Sequence, residues 1–398
     1  MDTSSALNFN NTQIAFAYKS NAALRRDYRI FQLINQNWLV QFGTQAASFL
    51  MDVGFKIPIA IGMKPTVYAT FCGGNSLNEA SEKINKLYQY NVKTVLDYGV
   101  EGKEREEDFI RTENAIKEAI LYAANKETVD IVSSKFTGLI PFSILEKLHA
   151  KTDLTAEEKT IYEKSKARIF DIAKLAYDKN VSLFVDAEES WIQQPLDELT
   201  YELMLLYNKE KPIIYNTAQL YRKDRLPFLK KCIEQAQKDN IIYAVKLVRG
   251  AYMEKEAERA EKMNYENPIQ DTKEATDNDY NEALRITIQA IKNTAICVAT
   301  HNEASSLLAT QLMQQHQLPT NHPHIQFSQL YGMSDNISFN LGAAGYSVHK
   351  YMPYGPVKDV IPYLIRRAQE NTSVSGQMGR ELKLLKDEVK RRKLFFAI

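Results

Sequence analysis

Four polar side chains near the carboxyl end of the chain share one face of a predicted helix. Tyr363, Arg366, Arg367 and Glu370 recur at spacings of three and four residues, and the residues between them are mostly apolar. Paired guanidinium groups bind a carboxylate or phosphate through parallel hydrogen bonds. An amphipathic helix with a solvated polar face has the same pattern. The rest of the chain must decide between an anion site and a solvated face.

The elements that precede this helix alternate between short apolar runs and longer charged segments. The runs are rich in β-branched residues and cover 92–97, 129–135, 181–187, 212–217, 241–248, 295–300, 324–330 and 346–351. A helical segment can follow each run, and strand–helix alternation predicts a parallel sheet. Eight such units match an α/β fold of the (β/α)8 TIM-type barrel, which needs about 250 residues. A doubly wound open sheet is the alternative, but no run is followed by a G-x-G-x-x-G turn.

The chain is expected to have three regions. Residues 1–90 read as a helical N-terminal region, residues 91–372 as the barrel, and residues 373–398 as a C-terminal helical tail. The tail combines the basic residues 390–393 with an apolar end. Such a segment either contacts a membrane surface or docks on its own domain.

Polar residues recur where the predicted strands end, which is where barrels of this class carry their functional groups. They are Asp97, Lys135, Asp186, Gln219, Lys246, Arg249, Thr300, His301 and Asn302, and Leu330 and Tyr351 end the last two strands. A salt bridge explains any one inward charge, but their recurrence favours a binding site. The helix of Arg366 and Arg367 follows the eighth strand, so it borders the same mouth. Two Arg there favour a small carboxylate ligand, and Tyr252, Tyr351 and Tyr363 can line an apolar slot around it.

Composition and cysteine usage narrow the class of protein. The net charge of +1 provides no field that would recruit nucleic acid or a membrane. Three widely spaced cysteines without a C-x-x-C pair indicate a reducing compartment. The N-terminus resembles neither a signal peptide nor a transit peptide, so we predict a cytoplasmic protein.

The motifs exclude some chemistries and leave two open. The sequence has no G-x-S-x-G nucleophile motif and no H-E-x-x-H spacing, so no metal site is predicted. Lys135 or Lys246 can form a Schiff base in an aldolase-type barrel. Alternatively, the polar strand ends hold a cofactor that carries a redox step.

Seven segments in order resemble the proline dehydrogenase family, flavin-dependent (β/α)8 enzymes that oxidise L-proline. These segments are residues 133–139, 185–189, 216–223, 246–252, 299–302, 329–333 and 363–371. The resemblance implies FAD as cofactor and Δ1-pyrroline-5-carboxylate as product.

The resemblance also implies a role for each matched residue. Arg366 and Arg367 would bind the proline carboxylate with help from Lys135, and Asp186 would orient the site. The proline ring would be enclosed by Tyr252, Leu330, Tyr351 and Tyr363. Contacts to FAD would come from Gln219, Lys246, Val248, Gly250, Ala251, Lys273, Thr300, His301, Asn302 and Glu370. Glu101 resembles the carboxylate that closes the site by pairing with the first Arg.

One pair of residues departs from the pattern of many bacterial relatives. Their Arg, which donates toward flavin N5, is Lys246 here, and their Lys is Arg249. An ammonium donates as a point charge and not as a planar fork, so the N5 contact is left open between the two.

The resemblance further implies partners. Electrons would pass to a membrane quinone, which raises the hypothesis that the basic tail makes peripheral contact with the inner membrane face. Product oxidation would fall to a separate pyrroline-5-carboxylate dehydrogenase. Three alternatives stay open, namely a hydroxyproline dehydrogenase, a Schiff-base aldolase-type barrel and a non-catalytic amino-acid-binding barrel.

Overall fold

Eight strands in a computed structural model form a closed barrel in the order β1 to β8. The structure describes residues 7–34, 67–99, 104–357, 360, 363–364 and 377–394. The strands are β1 Val92–Tyr98, β2 Val129–Ser134, β3 Ser182–Val185, β4 Ile214–Gln219, β5 Tyr243–Val248, β6 Thr294–Ala299, β7 Ile325–Leu330 and β8 Val348–Tyr354. The predicted (β/α)8 barrel is therefore confirmed.

Helices connect successive strands, as parallel pairing requires. Before β1 lie α1 Thr12–Ala15, α2 Asn21–Ile34, α3 Ala69–Phe71 and α4 Leu77–Tyr88. Between the strands lie α5 Glu106–Ala123, α6 Phe142–His149, α7 Ala156–Asp178, α8 Ser190–Tyr207, α9 Arg225–Lys238, α10 Met253–Met263, α11 Lys273–Gln289, α12 Glu303–Gln315 and α13 Asp335–Ala343. After β8 lies α14 Gln377–Arg391.

The predicted strand bounds differ most at β8. This strand continues to Tyr354, so Tyr351 lies within it and not at its end. Pro353 does not stop the strand, because proline retains its carbonyl group, which accepts a hydrogen bond from the Gly73 N–H at 2.8 Å. Lys246 likewise lies two residues before the end of β5. The predicted end of β8 at Tyr351 was therefore wrong, whereas the predicted end of β5 at Val248 is confirmed.

The chain separates into two compact units, Val95–Phe327 and the combination of Met1–Thr94 with Ser328–Ile398. In the first unit, parallel pairing joins β2 through β6, with Thr217 opposite Lys246 in the register of β4 and β5. Its core contains fully buried aromatic residues, among them Phe184, Tyr215 and Tyr243. Strands covered on both faces explain the nearly continuous apolar runs in the sequence.

The second unit has a separate apolar cluster that includes Phe31, Phe71 and Leu364. Helix α14 joins this cluster through Leu384, Leu385 and Val389. Beyond α14, the Arg392 guanidinium donates to the carbonyls of Phe16 at 2.7 Å and Lys19 at 2.8 Å. The described part of the basic tail therefore docks on its own unit.

No helix within the described ranges is long and apolar enough to cross a membrane.

Candidate functional site

Asp186 is the centre of a buried polar cluster at the mouth of the strands in the first unit. Its Oδ2 accepts a hydrogen bond from Lys135 Nζ at 3.1 Å. Its Oδ1 accepts from Ser133 Oγ at 2.8 Å and from Lys246 Nζ. The three charged side chains are only 7–14% exposed. The structure therefore brings together Lys135, Asp186 and Lys246, which are far apart in the sequence.

The strands explain why these side chains converge. Ser133 lies in β2, and Lys135 directly follows this strand. The two residues are two positions apart, so their side chains point to the same face of the sheet. Lys246 projects from β5, and its ammonium lies 5.5 Å from the centre of the Phe184 ring on β3. Burying a charge is costly unless it is paired and hydrogen-bonded, so each ammonium stabilises the shared carboxylate. Sequence reasoning missed Ser133, although its two-residue spacing from Lys135 could have identified it.

This donor set fits a flavin. The cluster offers two ammonium groups next to the hydroxyl of Ser133, and the buried Gln219 lies at the end of β4. An isoalloxazine ring carries carbonyl oxygens and ring nitrogens that accept hydrogen bonds and gain negative charge on reduction. Buried cationic donors can supply such hydrogen bonds and offset that charge.

Arg249, the residue that follows β5, belongs to a second cluster. Its Nε donates to Asp277 Oδ1 at 2.7 Å, Nη1 to Thr300 Oγ1 at 2.7 Å and Nη2 to Ser305 Oγ at 3.0 Å. Burial disfavours the charged form of Asp277, yet hydrogen bonds from Lys273 and Arg249 lower its pKa. All three donating nitrogens of the Arg249 guanidinium are thus engaged within the protein. Sequence reasoning missed Asp277, which lies four residues after Lys273 on α11.

The other predicted cofactor residues of this unit lie at strand ends, in loops and at helix starts. The amide of Gln219 donates to the Glu188 carbonyl at 2.8 Å, and Lys273 Nζ contacts Asp277 Oδ2 at 2.6 Å. Asn302 caps α12 by accepting from the Ser305 N–H at 3.1 Å. Val248 ends β5, and Gly250, Ala251 and His301 lie in the loops after β5 and β6.

The first unit also contains a cavity of about 540 Å3. Its lining includes Thr137, Glu188, Trp191 and Tyr252. Burial, and then the neighbouring charge of Glu189, raise the pKa of Glu188 to about 8, although hydrogen bonds from Thr137 oppose the shift. The Thr137 N–H donates to Glu188 Oε1 at 3.1 Å. Glu188 was not singled out from the sequence, although it lies two residues after Asp186.

Three further predicted residues, Leu330, Tyr351 and Tyr363, belong to the second unit. Leu330 ends β7, and Tyr351 in β8 and the helical Tyr363 are both buried. Tyr363 is part of the apolar cluster that contains Leu364 and Leu385. Arg366, Arg367, Glu370 and Glu101 lie outside the described residues.

Within the part of the chain that the structure describes, no group of three or more His, Cys, Asp or Glu side chains could hold a metal ion.

Comparison with known proteins gives one consistent result. Residues 80–380 match the family model described as proline dehydrogenase. Proline dehydrogenase 1, mitochondrial, of Dictyostelium discoideum is 33% identical, with 96% of this chain and 74% of that protein covered. The hydroxyproline dehydrogenase of Xenopus laevis is 31% identical, with 97% of this chain and 90% of that protein covered.

Among solved structures, proline utilization A from Bdellovibrio bacteriovorus, inactivated by N-propargylglycine, superposes with a TM-score of 0.71. The identity is 21%, and the match covers 94% of this chain but 40% of that protein. This similarity supports the fold alone.

Proposed function

Because this chain belongs to the proline dehydrogenase family of FAD-dependent oxidoreductases, we propose that it oxidises L-proline to Δ1-pyrroline-5-carboxylate. The observation that carries the proposal is the buried cluster in which Lys135 and Lys246 share the Asp186 carboxylate. A Schiff-base lysine reacts as a neutral amine. Both ammonium groups here are instead paired with a carboxylate, which favours the oxidoreductase over the aldolase-type alternative.

We propose that the substrate carboxylate is bound by Arg366 and Arg367, with Lys135 as a further cation. Two guanidinium groups and an ammonium match the charge and geometry of a small carboxylate. Asp186 holds Lys135 in position through the 3.1 Å hydrogen bond. The ring would be enclosed by Tyr252, Leu330, Tyr351 and Tyr363.

FAD, when bound, supplies the hydride acceptor. The residues proposed to hold it are Gln219, Lys246, Val248, Gly250, Ala251, Lys273, Thr300, His301, Asn302 and Glu370. Of the two candidates for the N5 contact, Lys246 is favoured, because the Arg249 guanidinium is engaged with Asp277, Thr300 and Ser305. The protein contributes orientation and exclusion of water, while proline reacts with its amine neutral.

Hydroxyproline is the second candidate substrate, since one relative that covers nearly the whole chain carries that name. Tyr351 favours proline, because it is only 8% exposed and a bulky phenol would crowd a ring hydroxyl. The ratio of kcat/KM for the two amino acids distinguishes these candidates. A ratio in favour of hydroxyproline would reverse the assignment.

We propose a quinone as electron acceptor and a separate pyrroline-5-carboxylate dehydrogenase as consumer of the product. Peripheral contact with a membrane would then fall to surfaces other than the buried face of α14, because Leu384, Leu385 and Val389 pack inside their own unit. Sedimentation with anionic liposomes tests this contact, and turnover with a short-chain quinone tests the acceptor.

Anaerobic titration with proline tests the main proposal. The purified protein is expected to be yellow and to bleach with L-proline. Arg366→Met and Arg367→Met should each raise KM by about 30-fold or more while FAD stays bound, because leaving a carboxylate without its charged partner costs about 2–5 kcal/mol. Arg285→Met, which changes a half-exposed arginine on α11, is the matched control. A flavin-free preparation that still oxidises proline would contradict the proposal.

A further inference from the structure

Helix α10 carries a carboxylate that is buried although the proposed reaction does not use it. The Glu256 side chain is fully buried within the first unit. Its Oε1 accepts from the Ser190 N–H at 2.7 Å, and its Oε2 accepts from Ser190 Oγ at 2.6 Å. Ser190 is the first residue of α8, so Glu256 caps the amino end of a neighbouring helix.

The hydrogen bonds of this cap hold the Glu256 carboxylate at one position. A buried carboxylate is costly unless it receives charge-assisted hydrogen bonds. The amino end of a helix offers unpaired N–H groups and a positive dipole, and the hydrogen bonds to the N–H groups are lost if the carboxylate moves by more than about an ångström. The contact therefore fixes α10 at one place relative to α8.

Two neighbouring residues of α10 strengthen this attachment. Lys255 Nζ contacts Glu189 Oε1 at 2.9 Å, next to Ser190. One turn later, the Arg259 guanidinium contacts Glu146 Oε1 at 2.5 Å and lies 4.5 Å from the centre of the Trp191 ring. The side chains in these contacts are more exposed than that of Glu256, so each contact contributes less to the free energy that holds α10 in place.

The attachment bears directly on Tyr252, which precedes α10. Tyr252 is 7% exposed, and its carbonyl accepts the first hydrogen bond of the helix from the Glu256 N–H at 2.9 Å. On its other side lies Gly250, whose φ of +144° disfavours other residues. A Cβ at Gly250 would also lie 2.4 Å from the Tyr221 ring. Tyr252 is thus held between a constrained glycine and an anchored helix.

We propose that Glu256, through Ser190, is a positioning residue that holds Tyr252 in the substrate site. The inference rests on the proposed function, in which Tyr252 encloses the proline ring. Glu256 does not touch the substrate and acts through the backbone of α10. The alternative is that Glu256 stabilises the fold without any effect on substrate binding.

Steady-state kinetics of the FAD-loaded protein separate these roles. Glu256→Ala is expected to raise KM for proline roughly tenfold and to change kcat much less, since small misplacements of positioning groups weaken catalysis by up to about 100-fold. Glu256→Gln, which keeps one acceptor for the Ser190 N–H, should recover part of the loss. Ser190→Ala is a milder variant in case Glu256→Ala fails to fold. Glu254→Ala, an exposed change in the first turn of the same helix, is the control.

A double-mutant cycle decides whether Tyr252 transmits the effect. In a Tyr252→Ala background, Glu256→Ala should raise KM no further. Additive effects, or a lower melting temperature with an unchanged KM, would overturn the proposal.

Hydrogen exchange gives a readout that does not depend on turnover. Amides of residues 250–256 should exchange faster in Glu256→Ala than in Glu254→Ala, and equal rates would overturn the proposal. If the wild-type protein does not reduce its flavin with proline, the proposed function fails, and this exchange result still decides whether Glu256 anchors the segment.

Discussion

At the scale of single residues, one carboxylate determines how two buried cations are tolerated. Asp186 accepts hydrogen bonds from Lys135, Lys246 and Ser133. Ser133 lies in β2, Lys135 directly follows β2, and Lys246 lies in β5. The same carboxylate would place one ammonium toward the substrate and the other toward the flavin. Asp186 is thus better explained as the group that positions two cations than as a general acid or base.

Replacing this carboxylate tests that interpretation. Asp186→Asn should lower the stability of the flavin-free protein by about 3 kcal/mol, because removing one partner leaves buried charges uncompensated. The urea midpoint measures this effect. Asp171→Asn, an exposed position on α7, should leave the midpoint unchanged. Equal midpoints for the Asp186 variant and the wild type would contradict the interpretation.

A second residue-scale prediction concerns pH. Burial raises the pKa of Glu188 to about 8, from an ordinary value of 4.5. The folded protein therefore keeps a proton that the unfolded chain releases, so the contribution of Glu188 to stability is complete below pH 4.5 and is lost as the pH rises toward 8. The loss amounts to at most about 1.4 kcal/mol per pH unit.

Glu188→Gln cannot titrate, so its stability relative to the wild type should increase steadily from pH 5 to pH 8. Chemical denaturation at several pH values measures the difference. Glu210→Gln, at an exposed position, provides the control and should give a difference that is independent of pH. A flat profile for Glu188→Gln would mean that Glu188 is already ionised at pH 5.

At the scale of elements, α14 shows how an ambiguous amphipathic pattern is resolved by packing. Its sequence fits either a membrane surface or the protein's own core. In the structure, Leu384, Leu385 and Val389 are buried within the second unit, and Glu388 is paired with Arg391 and Arg392. The apolar face of this helix is therefore not available to lipid.

Leu385→Ala should lower the free energy of unfolding by about 2–5 kcal/mol, because it removes a side chain that is 1% exposed from a packed cluster. Lys386→Ala, on the exposed side of the same helix, should have little effect. Thermal denaturation measures both changes. If Leu385→Ala instead reduced liposome binding with an unchanged melting temperature, the docked position of α14 would not represent the protein in solution.

At the scale of the whole molecule, binding of FAD should stabilise the folded barrel. A protein that binds FAD only when folded is stabilised by about 2.7 kcal/mol when free FAD is at 100 times its dissociation constant. The melting temperature of the flavin-stripped protein should therefore rise by several degrees with added FAD. Riboflavin, which lacks the pyrophosphate and the adenosine of FAD, should give a smaller shift. Equal shifts would show that the residues around Lys273 and Thr300 do not contact FAD.

Much of this protein is determined by its sequence alone. Strand–helix alternation predicts the barrel, because parallel strands need crossover helices and bury both faces. The order of the seven motifs indicates the family, and the comparisons confirm it. Residue types at the strand ends also pointed to Lys135, Asp186 and Lys246 as candidates, since buried charges are retained at a cost.

Only the tertiary structure decided which of these groups meet. Lys246 forms a salt bridge with Asp186, and Arg249 forms one with Asp277. From the sequence, either side chain could have donated a hydrogen bond to the flavin ring. Glu256 and Ser190 are 66 residues apart, and their contact depends on how α10 packs against α8. Spacing along the chain reveals faces and periods, whereas contacts between elements depend on packing, which no local pattern encodes.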